Sequence, residues 1–95
     1  MVEISIKYLV DLRCEALHKP SGTVITTDAP VDNEGRGESF SPTDLAATSL
    51  GTCMLTIMGI AARKQGVDLG ETTVKVLKEM TSQPPRRIAK LTVVF

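Results

Sequence analysis

From Val2 to Val10 apolar and polar residues alternate, with Val2, Ile4, Ile6, Tyr8 and Val10 on one face and Glu3, Ser5 and Lys7 on the other. A period of two predicts a half-buried β-strand. Asp11 ends the run, Leu12 to Leu17 predicts a second short strand, and His18-Lys19-Pro20-Ser21-Gly22 predicts a turn into a third, Thr23 to Thr27. The chain is therefore expected to open as an antiparallel meander. Residues 28–40, DAPVDNEGRGESF, carry two Gly, one Pro and five acidic or Asn residues without an apolar period. They predict a surface loop of about a dozen residues, long enough to suspect a functional role.

A helix is announced by Ser41-Pro42-Thr43-Asp44, with Ser41 as N-cap, Pro42 at the first helical position and Asp44 three residues after the cap. It is expected to run to about Gln65, where Arg63 and Lys64 suit the negative end of the dipole and Gly66 supplies a left-handed stop. Leu45 to Ala62 is 18 residues without a charge, roughly 27 Å, which touches the lower limit of a membrane span. Six of the 18 are Gly, Ser or Thr, so the expectation is no membrane and a helix buried by protein on most sides. Two more strands are predicted, Thr72 to Met80 and Ile88 to Phe95, joined by a turn over residues 81–87. The fold class is thus α+β: an antiparallel sheet, made of the N-terminal meander and the later strands, packed on one long buried central helix. One such sheet covers only one side of the helix, so a second copy of the chain, a homodimer, is expected to cover the other.

Composition narrows the function classes. Ninety-five residues at 10.2 kDa leave room for one domain, 1–95. Eleven basic and eleven acidic residues cancel, which gives no electrostatic reason to bind nucleic acid or an anionic membrane. Three aromatics, Tyr8, Phe40 and Phe95, are too few for a base-stacking platform. The two cysteines show neither a disulfide framework nor zinc spacing, so no metal or cofactor is expected. Free thiols and the lack of an apolar leader after Met1 point to a reducing, cytoplasmic setting.

Few side chains could carry chemistry. Cys53 lies near the middle of the predicted helix, on a face with Ala46, Ser49, Leu50, Thr56, Ile57 and Ile60. By composition alone it reads as a small core hydrophobe. To react it must be a thiolate, and it stands too far from the helix N-terminus to gain from the dipole. Activation needs a cation brought in by tertiary contact, from Arg13, Arg36, Arg63 or Lys64. Cys14 follows Arg13 on an alternating strand, so their side chains take opposite faces. His18 reads as a solvated turn residue. Asp28, Asp32, Glu34 and Glu38 lack calcium-loop spacing and read as solubilising surface acids. The Gly35-Arg36-Gly37 triplet is too short for a phosphate-binding loop.

The run GRGESFSPTDLAATSLGTCM, with a Cys eleven residues after the Pro that starts the helix, resembles the osmotically inducible protein C (OsmC) and organic hydroperoxide resistance (Ohr) family. Its most specific part is SPTDLAATSLGTC, and YLVDLRCEALHKPSGTVITTDAP is similar to the family's N-terminal hairpin. The resemblance implies a thiol-dependent peroxidase that reduces organic hydroperoxides in oxidative and osmotic stress defence. It also implies intertwined homodimers and a dithiol reductant. Cys53 matches the peroxidatic cysteine and Arg13 the arginine that holds the thiolate. The acid that usually follows the Pro is Thr43 here. The family's resolving cysteine lies in a later helix, so the chain is expected to be the N-terminal two thirds of a longer protein. The alternative is a non-catalytic dimeric scaffold or apolar-ligand binder, with Cys53 in the core.

Overall fold

The computed structural model describes residues 1–95. In chain order it holds β1 (Ile4–Tyr8), β2 (Arg13–His18), β3 (Thr23–Asp28), a single 3-10 turn (Val31–Asn33), α1 (Pro42–Lys64), β4 (Lys75–Met80) and β5 (Ile88–Val94). The α+β class, the N-terminal meander and the one long helix are those expected. The strands, however, form two antiparallel sheets rather than one: β1-β2-β3 and β4-β5. The chain divides into two compact units, Met1–Pro42 and Thr43–Phe95.

In the first unit β1 is shorter than its alternation suggested, because Leu9 and Val10 are drawn into the turn. Leu9 N–H donates to the Arg13 carbonyl at 2.8 Å and Arg13 N–H to the Val10 carbonyl at 3.3 Å. Asp11 and Leu12 both take left-handed backbone, at φ 56° and 65°. With Tyr8 paired to Cys14, the connection is a three-residue loop, Val10 to Leu12, that turns the chain through these two left-handed residues. Asp tolerates the conformation, whereas Leu pays about 1–2 kcal/mol for it. The apolar face of β1 is not half-buried as expected. Ile4, Ile6 and Tyr8 stay more than half exposed in the single chain. The β2–β3 turn forms as predicted: the His18 carbonyl accepts from Ser21 and Gly22, and Gly22 takes φ 75°.

In the second unit α1 starts directly after Ser41, which is buried. Its close approach to its own sheet is set at Gly51, where an added Cβ would lie 2.7 Å from Val76 Cγ2 and 3.6 Å from Val74 Cγ1. The helix comes this close to β4 only because that position has no side chain. Along β4 the residues alternate, with Val76, Lys78 and Met80 half-buried and Lys75, Leu77 and Glu79 exposed. Val76 pairs with Val93 and Lys78 with Leu91 across to β5. The strand begins at Lys75 rather than Thr72, and the Thr72 hydroxyl instead donates to the Leu69 carbonyl at 2.9 Å.

Within the chain, only Ala47 and Gly51 of α1 are buried, while Leu50, Ile57, Met58 and Ile60 are exposed. By length and composition the helix is also sufficient to cross a membrane. Three of its hydroxyls are directed onto its own backbone: Thr48 to the Asp44 carbonyl, Ser49 to that of Ala46 and Thr52 to that of Thr48, at 2.7–2.9 Å. Such bonds are how Ser and Thr sit in helix interiors.

Candidate active site

Arg13 opens β2 immediately after the left-handed turn, and the β2–β3 register places Asp28 directly opposite it. Paired residues in an antiparallel sheet share a face. Asp28 is 1% exposed, so the expectation of a solubilising surface acid is wrong for this residue. Burial of a carboxylate is costly unless it is paired and hydrogen-bonded. Its Oδ2 lies 3.6 Å from Arg13 Nη2 and accepts the Glu38 N–H at 3.1 Å; its Oδ1 is buried without a partner.

Glu38 arrives through a loop tied back onto the end of β3. Asp28 N–H donates to the Phe40 carbonyl, Gly35 N–H to that of Pro30 and Gly37 N–H to that of Ala29, while the Ser39 hydroxyl reaches the Thr26 carbonyl at 2.8 Å. Gly35 is required, because a Cβ there would stand 1.7 Å from the Ala29 carbonyl oxygen. Folded this way, the loop sets Glu38 Oε2 3.0 Å from Arg13 Nη2, with Arg36 at 3.8 Å on the other Glu38 oxygen. The Nη2 N–H bonds are not well aligned on either carboxylate, so the contact is mainly one of charge. Close contact with the Glu38 carboxylate, the Glu38 charge and, more weakly, the Asp28 charge raise the Arg13 pKa above its ordinary value.

Cys53 is exposed on α1 and Cys14 is half-buried on β2, both as free thiols. Cys14 pairs with Tyr8 and Thr27, on the opposite face of the sheet from Arg13 by strand alternation. At the start of α1 Lys78, reaching from β4, lies 2.7 Å from Asp44 Oδ1 and donates to the Thr43 hydroxyl at 2.8 Å. His18 Nδ1 contacts the Ser21 hydroxyl at 2.6 Å within its own turn. The reading of the sequence missed Asp28, although equal steps outward from the Pro20–Ser21 turn pair it with Arg13.

The model of the family described as OsmC-like protein matches residues 35–95 of the chain. The chain belongs to the OsmC-like family. The matched segment includes Cys53 and the whole of α1 and begins after Arg13. Among solved structures, this OsmC-like chain is similar to the crystal structure of a protein from Psychrobacter arcticus 273-4 described as a candidate osmotic stress induced and detoxification response protein. The two are 50% identical with a TM-score of 0.91, over 98% of this chain and 67% of that one. No match was found among curated proteins.

Proposed function

We propose that the protein acts in stress defence as a thiol-dependent peroxidase for organic hydroperoxides, with Cys53 as the nucleophile and Arg13 as the cation that holds its thiolate. The observation that carries this reading is membership of the OsmC-like family over a segment in which Cys53 stands exposed on α1. The Psychrobacter relative, described by its osmotic stress and detoxification response, supports the stress-defence part.

In this mechanism the Cys53 thiolate attacks the distal oxygen of a hydroperoxide. The S–O bond forms as the O–O bond breaks, and the alkoxide takes up a proton and leaves as the alcohol. The sulfenic acid that remains condenses with a second thiol, releasing water and leaving a disulfide for an external dithiol to reduce. Exposed Leu50, Ile57 and Ile60 on the same helix favour an organic substrate over hydrogen peroxide. Neither metal nor cofactor is invoked, and the setting proposed is the cytoplasm.

The same reading makes the working unit a homodimer. Ile4, Ile6 and Tyr8 of β1 and Leu50, Ile57, Met58 and Ile60 of α1 are exposed in the single chain, apolar surface that a second copy would cover. We take the 95 residues as one OsmC-like domain.

The deciding experiment compares wild type with Cys53→Ser and Cys14→Ser in single-turnover reduction of cumene hydroperoxide. Cys53→Ser is expected to abolish the reaction and Cys14→Ser to leave it within about threefold, since an inert thiol contributes little to the step. Retained activity in Cys53→Ser overturns the proposal.

A further inference from the structure

We propose that Asp28 is the positioning residue for Arg13, with Glu38 as a displaceable counter-ion. This deepens the peroxidase reading and rests on it for its chemistry. The resemblance places an acid after the Pro that starts the helix, but Thr43 stands there, and it and Asp44 are both engaged by Lys78. The carboxylates found at Arg13 come instead from the end of β3 and the loop that follows it.

The two carboxylates are not equivalent. Asp28 is fixed by its strand register, is 1% exposed and has an Oδ1 without a partner. If Arg13 swung away, Asp28 would be left as a buried charge with no counter-charge, a costly state. Glu38 has a side chain 55% exposed, so water can replace the guanidinium at little cost. One oxygen, Asp28 Oδ2, also holds the Glu38 backbone. Arg13 thus keeps one permanent anchor while its second anionic partner can be exchanged, for a thiolate among others. The anchor keeps the guanidinium charge beside the end of β3, and the exchange leaves Arg13 able to pair anew without losing its place.

The test uses Asp28→Asn, Glu38→Gln, Arg13→Ala and the Asp28→Asn/Arg13→Ala double variant. Asp28→Asn is expected to slow Cys53 sulfenate formation with cumene hydroperoxide by about 10- to 100-fold, the range for a misplaced catalytic group, and Glu38→Gln by much less. The double variant is expected to be no slower than Arg13→Ala alone. A second readout is the 15N NMR signal of the Arg13 Nη2 protons, whose nitrogen is buried; they are expected to be protected from exchange in wild type and Glu38→Gln and to lose that protection in Asp28→Asn. If Asp28→Asn fails to fold, Asp28→Ser replaces it, keeping an acceptor for the Glu38 N–H without the charge. An Asp28 variant with a wild-type rate and an unchanged Arg13 signal overturns the proposal, as does a Glu38→Gln defect equal to that of Asp28→Asn. Equal rates for wild type and Arg13→Ala remove Arg13 from the chemistry, while the NMR signal still decides whether Asp28 orders it.

Discussion

Arg13 is held among acids and its affinity for its proton is raised. A raised folded-state pKa means that the pairing contributes stability throughout the range below the ordinary arginine value and loses it only above that value. The stability difference between wild type and Arg13→Ala is therefore expected to be the same at pH 6 and pH 9 in urea denaturation. A difference that shrinks across this range would mean that the arginine is not charged throughout. A separate prediction concerns Gly35. Its missing side chain lets the loop pass over Ala29, and Gly35→Ala forces that crossing open. The expected cost is about 1–3 kcal/mol, with Tm lowered by roughly 4–8 °C for each kcal/mol, and the Glu38 contact with Arg13 is lost with it. Unchanged Tm in a thermal melt would show that the loop has another path.

At the scale of the element, α1 carries its own internal control. A Cβ added at Gly59 would meet only Leu69 Cδ1, at 3.8 Å, whereas Gly51 is pressed against Val76. Gly59→Ala is expected to stabilise by about 0.5–1 kcal/mol through helix propensity. Gly51→Ala is expected to forfeit that gain to crowding, which costs about 1–3 kcal/mol in a packed core. Equal shifts in Tm for the two variants would place the close helix–strand contact elsewhere. Leu12→Gly is expected to raise Tm by relieving the left-handed backbone. This helix was legible because Pro42, the charge-free run and Gly66 are local signals. The Asp11–Leu12 turn was not, because its conformation belongs to Asn-Gly pairs and is imposed on Leu by strand pairing. The grouping of strands into two sheets was hidden for a similar reason: alternation marks a strand without naming its neighbour. Cys53 and Arg13 stand out through the family resemblance, whereas Asp28 acquires its significance only from the register that sets it opposite Arg13.

For the whole molecule, the expected outcome is association. Equilibrium sedimentation is expected to give twice the 10.2 kDa chain mass at micromolar concentration, and a stable monomer there would refute the proposed homodimer. The bonds from Thr48, Ser49 and Thr52 to carbonyls of their own helix bear on how such docking can work. A hydroxyl taken out of water without a partner costs about 1–3 kcal/mol by protein mutational measures. Counting Gly, Ser and Thr made α1 look wet, yet these three hydroxyls already have acceptors. When another surface displaces the water around them, no donor is stranded, and the helix can be dehydrated as readily as a more hydrocarbon-rich one.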